Sequence, residues 1–257
     1  MNTIKLGSHE PDVILLQTYL EVNPDSDFGP KTDDALRKFQ SLSGLVADGI
    51  CGPKSWEALS EAFDIDGITD EDYIKAASIL GVPVATVKAV AEVESGSAGA
   101  FRKSRRPVCL FEGHIFWSEL KKRGIDSNKI TGHSGILYPK WDKSKYSGGE
   151  KEWDRLEEAF KINPDAALSS ASLGLFQIMG FNWKATGCNS IYDYYSKSFI
   201  SEGSQLELFC GFINSQGLGK YLKNLDWANF AKRYNGPEYK KNQYDTKLAK
   251  AYQKYNY

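Results

Sequence analysis

Apolar residues recur at helical spacing in three short segments of the first 63 residues. In the first segment, Val13, Leu16 and Leu20 lie three or four residues apart and so share one helix face. The other two segments repeat this spacing with Ala35, Leu36 and Phe39, and with Ala58, Leu59, Ala62 and Phe63. Apolar stripes of this kind predict a compact module of three amphipathic helices over residues 1–63.

An internal repeat marks the starts of the second and third helices. The sequence GPKTDDAL at residues 29–36 returns as GPKSWEAL at residues 52–59, an offset of 23 residues. In each copy the glycine allows a tight turn, and we expect the hydroxyl of Thr32 or Ser55 to cap the first backbone amides. Acidic residues follow in the first helical turn, where the helix dipole favours them.

The longer remainder of the chain also contains mostly helical patterns. Residues 64–70, DIDGITD, form a short acidic linker, and Thr69 with Asp72 predicts a capping box for a helix that Gly81 ends. Turn-rich stretches separate the later helical segments, and no alternation of strands with helices is visible. We therefore predict a mainly α protein, with a larger, mostly helical domain at 71–257 that contains a small β-hairpin.

Composition and charge argue against several classes of function. The hydrophobic content of 41% is ample for a packed core, and the sequence shows neither a signal sequence nor a stretch near the roughly 20 apolar residues that span a bilayer. The net charge of −1 combines −6 over residues 1–65 with +5 over residues 66–257. That positive surplus is too small to argue for nucleic acid. We expect a monomer that is made in the cytoplasm and has no stable membrane association.

The cysteines and histidines lack the spacing of a metal site. The four cysteines, which form no CxxC pair, are Cys51, Cys109, Cys188 and Cys210. The three histidines show no HExxH pattern. We predict buried free thiols, no metal and no other cofactor.

Two glutamates end the apolar run of VKAVAEVESGSAGAF, residues 87–101. On a helix, the residues three, four and seven positions before Glu94 are apolar, whereas Glu92 follows Lys88 by four positions and can pair with it. We expect Glu92 to face water and Glu94 to face the interior. A buried carboxyl without a partner should have a raised pKa and keep its proton near neutral pH, as a general acid requires. From this segment alone, a structural role as a cap or as the partner of a buried arginine stays open.

Two further segments place polar residues where a ligand could use them. Gln177 interrupts the apolar run SASLGLFQIMG, and its amide must be satisfied inside the fold or by a ligand rich in amides and hydroxyls. RYNGPEY, residues 233–239, predicts a turn after an amphipathic helix. That turn would present Tyr234 and Asn235 at a surface, although an ordinary turn has the same pattern.

The first 63 residues contain the ordered motifs LQxxL, DxFGPxTxxALxxFQ and GLxxDGIxGPx[ST]. The matching residues are Leu16, Gln17, Leu20, Asp27, Phe28, Gly29, Pro30, Thr32, Phe39, Gln40, Gly44, Leu45, Asp48, Gly49 and Ile50. This order resembles the peptidoglycan-binding module of bacterial and phage cell-wall hydrolases. The resemblance implies that the module binds the cell wall, with Asp27, Phe28 and Asp48 among its positions. A bundle used only as a spacer or for dimerisation is the alternative.

Four motifs follow one another in the second domain: AVAEVESG, RPVCLFEGHIFW, ALSSASLGLFQIMGFN and ANFAKRYNGPEYKKNQYDTKLAKAY. Their Glu-Ser, Gly-Leu-Phe-Gln-Ile and Tyr-Asn-Gly elements resemble the signatures of the lysozyme-like superfamily, which includes goose-type lysozymes and lytic transglycosylases. Together, over about residues 70–257, they resemble the N-acetylmuramidase domain of modular phage endolysins. One departure is Gly113, where relatives usually have a larger residue. In the superfamily the Glu before Ser is the catalytic acid, which implies that role for Glu94.

The resemblance implies cleavage of the β-1,4 bond between N-acetylmuramic acid and N-acetylglucosamine in peptidoglycan. It also implies that Gln177, Tyr234 and Asn235 bind the substrate. Two carboxylates usually share the chemistry, and Glu112 is the best candidate for the second. The weaker candidates are Asp142 and Asp154. Alternatively, Glu112 is a structural acid and the N-acetyl group of the substrate attacks the anomeric carbon.

Three other functions remain open from the sequence. One is a lytic transglycosylase that forms 1,6-anhydro-muramic products, another is a non-catalytic cell-wall-binding phage structural protein, and the third is a chitinase. An endolysin without an export signal would stay in the host cytoplasm until a membrane lesion released it to the cell wall or periplasm.

Overall fold

The computed structural model describes residues 1–61, 67–95 and 99–256, and most of them are helical. The helices are α1 (Pro11–Tyr19), α2 (Pro30–Leu42), α3 (Pro53–Glu61), α4 (Asp70–Leu80), α5 (Val84–Ser95), α6 (Gly113–Lys122), α7 (Lys151–Ile162), α8 (Pro164–Ser169), α9 (Ile191–Ile200), α10 (Glu202–Ser215), α11 (Gly219–Lys223), α12 (Trp227–Tyr234) and α13 (Tyr244–Tyr255). The prediction of a mainly α protein is confirmed.

The predicted domain boundaries fall beside residues that the structure does not describe. Residues 62–66, which include Ala62 and Phe63 of the predicted third helix and part of the 64–70 linker, lie outside the described residues. The division into 1–63 and 71–257 therefore stays a prediction.

Three short strands form one sheet: β1 (Cys109–Phe111), β2 (Ala171–Leu173) and β3 (Ile178–Met179). They pair antiparallel in the order β1-β2-β3, with Phe111 opposite Ala171 in the first pair. The predicted hairpin corresponds to β2 and β3, and β1 is an additional strand. Three residues are too few to show the alternation by which strands are predicted.

Helices α2 and α3 begin at the two prolines of the repeat. Pro30 and Pro53 occupy the first helical position, where the missing N–H has no helical partner to lose. The predicted caps are wrong, because the hydroxyls of Thr32 and Ser55 lie buried within the helices. Each accepts a hydrogen bond from a glutamine side chain, at 3.2 and 3.1 Å respectively.

Helix α1 is buried on nearly every side, which corrects the prediction of an amphipathic helix. Of its residues, only Thr18 is not buried. The reason is that α9 of the C-terminal domain packs against α1. Across this contact the hydroxyl of Thr18 donates a hydrogen bond of 2.7 Å to the hydroxyl of Ser196. The buried apolar residues of module and domain therefore form one continuous core.

Helices α4 and α5 lead from the module to the candidate site. Thr69 and Asp72 form the predicted capping box at the start of α4, with N···O distances of 2.9 and 3.1 Å. Gly81 ends α4 with a φ of 65°, as predicted. Helix α5 then packs against the preceding helix α4 and against α13, which lies at the other end of this part of the chain.

Candidate functional site

Glu94 lies in the last turn of α5. On the same face, Val87 and Val90 are each 2% exposed, and Glu94 itself is half-buried. Its Oε1 accepts no hydrogen bond from any described residue. Burial raises the pKa of Glu94 from the usual 4.5 to about 8, because removal from water disfavours the charged form. The inward orientation and raised pKa agree with the prediction, and the catalytic role itself stays a prediction.

Glu92 is exposed as predicted, but its predicted ion pair with Lys88 is wrong. Oε2 of Glu92 lies 2.7 Å from Nζ of Lys254 and accepts a hydrogen bond of 2.5 Å from the hydroxyl of Tyr255. Lys88 pairs instead with Asp70 at 2.7 Å. Both charges thus find partners on helices that flank α5. The hydrogen bond from Lys254 is the main cause that lowers the pKa of Glu92, so the two glutamates shift in opposite directions.

Tyr234 ends α12 and lies within electrostatic range of Glu94. Its ring is parallel to that of Phe230 at 5.5 Å and meets Phe209 edge-on at 5.7 Å. Burial, followed by the charge of Glu94, raises the pKa of Tyr234 well above its usual value. The next residue, Asn235, is exposed. The predicted surface turn therefore holds for Asn235, whereas the ring of Tyr234 packs inward.

Gln177 lies in the turn between β2 and β3, with a φ of 46° in the left-handed region. Its Nε2 donates hydrogen bonds to the backbone oxygens of Val108 at 3.1 Å and Gly174 at 2.8 Å. Its Oε1 accepts one from the hydroxyl of Ser172 at 2.9 Å. The amide is therefore satisfied by the fold, and a lone pair of Oε1 remains for a ligand.

Aromatic contacts bring three predicted site residues into one region. Phe176, next to Gln177, stacks on Phe209 with ring centroids 4.4 Å apart. Phe209 in turn contacts Tyr234, whose pKa is influenced by Glu94. The structure thus groups Glu94, Tyr234 and the Gln177 turn, although they are far apart in the sequence.

Glu112 follows β1 at the end away from Val108, about 13 Å along an extended strand. Its Oε2 accepts a hydrogen bond of 2.5 Å from the hydroxyl of Tyr146, and Nδ1 of His114 lies 3.2 Å from the same oxygen. These contacts are a separate set from those of Glu94. The role of Glu112 as second carboxylate therefore stays a prediction without support from its contacts.

An aromatic group beside Glu112 was missed in the sequence. Trp141 is 61% exposed, and its ring lies 6.5 Å from that of Tyr146. Both residues belong to the turn-rich stretch at 131–150. The concentration of aromatic residues in this stretch could have indicated the aromatic group. Nothing in the stretch itself indicates that Tyr146 contacts Glu112.

Gly113 is required by the packing beside Glu112. A Cβ at Gly113 would lie 2.4 Å from the ring of Tyr138 and 2.6 Å from the backbone oxygen of Ile136. The small residue at this position, where relatives usually have a larger one, therefore allows the 131–150 stretch to approach the start of α6 closely.

The two weaker candidates for a second carboxylate have polar surroundings. Asp142 accepts hydrogen bonds from the backbone N–H and the hydroxyl of Ser144, at 2.9 and 2.7 Å, and the hydroxyl contributes most to lowering its pKa. Asp154 is exposed on α7. The surroundings of Asp142 favour its ionised form over the protonated form that a general acid needs.

The 23-residue repeat builds two equivalent turns in the module, each organised by a buried glutamine. In the first turn, Nε2 of Gln17 donates a hydrogen bond of 2.7 Å to Asp25. In the second, Nε2 of Gln40 donates one of 3.1 Å to Asp48. In both turns the glutamine Oε1 accepts backbone N–H groups at 2.9–3.1 Å. The sequence repeat therefore produces corresponding hydrogen bonds in the two turns.

The predicted cell-wall-binding positions differ in exposure. Asp27 and Asp48 are exposed, but Phe28 is 0% exposed in the module core. Phe28 is therefore corrected to a core residue, because its side chain cannot reach a polymer outside the module. The repeat matches Asp48 with Asp25, not Asp27, since 48 − 25 = 23. Asp25 was missed, although the offset alone identifies it.

The two turns have different surroundings. In the first, Ser26 lies near Tyr192 of α9. The second borders an open groove of about 610 Å³ that includes Val46, Asp48 and Ile50. Val46 is 80% exposed and Ile50 is 41% exposed. One copy thus faces the C-terminal domain, whereas the other leaves apolar side chains at the surface.

The four cysteines are buried and have free thiols, in agreement with the prediction. Within residues 1–61, 67–95 and 99–256, no group of three or more His, Cys, Asp or Glu side chains is arranged to hold a metal ion. No single helix in these ranges is long and apolar enough to cross a membrane. Helices α4 and α5 pass that test only as a pair, with a bend of 108° between them.

Comparison with known proteins assigns both parts of the chain to families. Residues 83–256, which are most of the chain, match the family model described as N-acetylmuramidase. The chain belongs to the N-acetylmuramidase family. Residues 9–59 of this muramidase match a second model, described as "Putative peptidoglycan binding domain".

The muramidase also resembles a solved structure along its whole length. The crystal structure of Burkholderia AP3 phage endolysin is 38% identical, with a TM-score of 0.70, and the match covers 99% of each chain. The muramidase therefore has the modular architecture of an endolysin. A 41-residue stretch is 49% identical to an uncharacterized protein in the bpoA1 3′ region of Kitasatospora aureofaciens. A 42-residue stretch is 45% identical to zinc D-Ala-D-Ala carboxypeptidase of Streptomyces albus G. The chain spans only 35% and 16% of these two relatives.

Proposed function

We propose that this muramidase is an endolysin-type peptidoglycan hydrolase that cleaves the β-1,4 bond between N-acetylmuramic acid and N-acetylglucosamine. Glu94 is the general acid in this proposal. The observation that carries it is a half-buried carboxyl whose Oε1 accepts no hydrogen bond from the described residues and whose pKa of about 8 keeps it protonated at neutral pH. The family match and the likeness to a phage endolysin support the same class of reaction.

The proposed reaction uses the proton of Glu94 twice. Glu94 gives its proton to the glycosidic oxygen while the bond between that oxygen and the anomeric carbon breaks. The N-acetyl oxygen of the substrate bonds to the anomeric carbon in this step. Water then attacks that carbon, displaces the N-acetyl oxygen and returns a proton to the carboxylate, which restores the acid. Tyr234, close to Glu94, and the exposed Gln177 and Asn235 would contact acetamido groups on either side of the bond.

The second catalytic group is proposed to be the N-acetyl oxygen of the substrate. Two carboxylates that share this chemistry lie about 5 Å apart in retaining enzymes and up to about 9.5 Å apart in inverting ones. Burial alone raises the pKa of Glu94, and the described residues add no charge contribution to that rise. Glu112 has Tyr146 and His114 around its carboxylate instead. This arrangement supports attack on the anomeric carbon by the substrate itself.

The same arrangement favours one second candidate, a lytic transglycosylase. In that reaction the C6 hydroxyl of the muramic residue attacks the anomeric carbon and gives its proton to the carboxylate of Glu94. Mass spectrometry of digested peptidoglycan separates the two reactions. We expect reducing muramic ends, whereas 1,6-anhydro ends would assign the protein to the transglycosylases.

Substitution of Glu94 tests the proposed acid directly. Glu94→Gln removes the proton donor and should lower the rate of wall clearing by about 100-fold or more, in line with the usual contribution of general acid catalysis. Glu92→Gln, two residues earlier on the same helix, is the matched control and should clear the wall normally. Clearing by Glu94→Gln at the wild-type rate would exclude Glu94 as the acid, whereas a wild-type protein that binds the wall without clearing it would favour a non-catalytic wall-binding protein.

For the wall-binding step we propose that the groove at the second turn contacts peptidoglycan. Its support is the exposure of Val46 and Ile50 there, within the residues that match the binding-domain family. Val46→Asp should lower the fraction of protein that sediments with purified peptidoglycan. Ile74→Asp, at a 60% exposed apolar position on α4, is the control and should sediment like wild type. Equal binding by both variants would move the wall contact elsewhere.

We also propose that wall cleavage in the host depends on opening of the membrane, on the basis of the likeness to a phage endolysin. Expression in the bacterial cytoplasm, followed by permeabilisation of the membrane, tests this. Lysis should begin only after permeabilisation, and lysis without it would show another route to the wall.

A further inference from the structure

A buried ion pair joins the N-terminal module to the C-terminal domain. Asp12 in α1 is 1% exposed, and both of its carboxylate oxygens accept hydrogen bonds from Nη2 of Arg106, at 2.9 and 3.0 Å. Arg106 is also buried, and its Nη2 lies 2.9 Å from Glu157 of α7. A buried charge is strongly destabilising when its partner is removed. This ion pair therefore stabilises the contact between the module and the domain.

Arg106 belongs to a narrow hairpin, residues 100–108, that precedes β1. The backbone N–H of Val108 donates a hydrogen bond of 2.7 Å to Ala100, and that of Arg102 donates one of 2.8 Å to Arg106. These cross-links make the two arms of the hairpin one unit. A shift of Arg106 would accordingly move both arms.

Both arms of the hairpin lead to the candidate site. One arm begins six positions after Glu94 in the sequence. The other ends at Val108, whose backbone oxygen accepts the hydrogen bond from Gln177. The hairpin also contacts the module a second time, because Nη2 of Arg105 donates a hydrogen bond of 3.0 Å to the backbone oxygen of Ser60 in α3.

We propose that Asp12 is a positioning residue for the reaction: through Arg106, the module holds the hairpin that connects the Glu94 helix with the Gln177 turn. This inference rests on the proposed function of the site. A flexible tether only raises the local concentration of the wall at the active site. Positioning through Asp12 instead affects the chemical step itself, even on a substrate too short to reach the groove of the module.

The test measures kcat and KM of full-length variants on a soluble oligosaccharide of alternating N-acetylglucosamine and N-acetylmuramic acid. Asp12→Ala should lower kcat by about 10-fold, since a misplacement of about 1 Å can cost up to about 100-fold, and KM should change little. Asp12→Asn keeps one acceptor for Arg106 and should restore part of the rate. Glu157→Gln is the matched control, because it removes the charge of the other partner of Arg106 but keeps the contact with the module. Its kcat should equal that of wild type.

Circular dichroism at the assay temperature identifies the variants that are folded. If Asp12→Ala is not folded, Arg105→Ala is measured instead, and its kcat should fall in the same direction. An unchanged kcat in the folded variant overturns this inference and leaves the proposed function intact. A Glu94→Gln enzyme as active as wild type, or a wild-type enzyme that leaves the oligosaccharide intact, overturns the proposed function and this inference together.

Discussion

Replacing Glu94 with glutamine should make the protein more stable, and the gain should depend on pH. In the unfolded chain Glu94 ionises near 4.5, whereas in the folded protein it ionises near 8. Between these values the folded state holds a proton that the unfolded state has lost. The free energy of unfolding of the wild type therefore falls as pH rises from 4.5 to about 8, and the contribution of Glu94 is constant beyond that range. Glutamine does not ionise and avoids this loss.

The size of the effect follows from the width of the pH window. At about 1.4 kcal/mol per pH unit, the interval from 4.5 to about 8 corresponds to about 5 kcal/mol. Glu94 is only half-buried, and water screens part of the effect, so we expect about 2–4 kcal/mol at pH 9. In a chain of this size that is roughly 5–15 °C in the midpoint of thermal unfolding.

The assay compares unfolding midpoints of wild type and Glu94→Gln at several pH values from 4.5 to 9. The two should be similar at pH 4.5 and separate progressively up to pH 8. Glu92→Gln is the control on the same helix. The pKa of Glu92 is lowered, so its carboxylate stabilises the fold fully above the unfolded pKa, and the midpoint of the control should lie below that of wild type by a nearly constant amount from about pH 5.5 to 9. A constant difference between wild type and Glu94→Gln across the range would refute the raised pKa.

Three further predictions concern activity and packing. Cleavage of a soluble oligosaccharide should lose rate as pH rises through about 8, because Glu94 then gives up its proton; a kcat profile that falls near pH 5 would contradict this. Gly113→Ala should lower the free energy of unfolding by about 1–3 kcal/mol, measured in urea, because its Cβ would overlap the ring of Tyr138. Gly49→Ala, at a φ of 69°, should cost about 1–2 kcal/mol from backbone strain and more from contact with neighbouring side chains. Gly44→Ala, at a φ of 70° with open space around it, isolates the strain, so equal losses at the two glycines would exclude a role for contact.

Features set by neighbouring residues could be predicted from the sequence. The capping box of Thr69 and Asp72 and the end of α4 at Gly81 depend on a few adjacent positions, and both are observed. The same reasoning failed where distant residues compete. Lys88 and Glu92 are well spaced for an ion pair. Lys88 instead pairs with a residue of α4, and Glu92 pairs with a residue of α13. The apolar stripe of α1 could not indicate that α9 covers its other side.

In the candidate site, too, features set within one helix could be predicted, and contacts between distant residues could not. Helical spacing alone oriented Glu94 toward the interior, because its face is defined within one helix. The hydrogen bonds of Gln177 with Val108 and of Glu112 with Tyr146 join residues 69 and 34 positions apart. The spacing of apolar residues along a helix or strand cannot predict contacts between residues so far apart in the sequence. They depend on the order of the strands and on the path of the 131–150 stretch.

The duplicated turn of the module has a consequence for how its two surfaces can be studied. The glutamines at its centres, Gln17 and Gln40, make matching hydrogen bonds, but one turn lies near α9 and the other borders solvent. Adhesion to the wall and attachment to the catalytic domain therefore need not compete for the same turn. An identical substitution made 23 residues apart disturbs the same local geometry in two different settings. Comparison of the two substitutions can therefore separate loss of wall binding from loss of contact between the module and the catalytic domain.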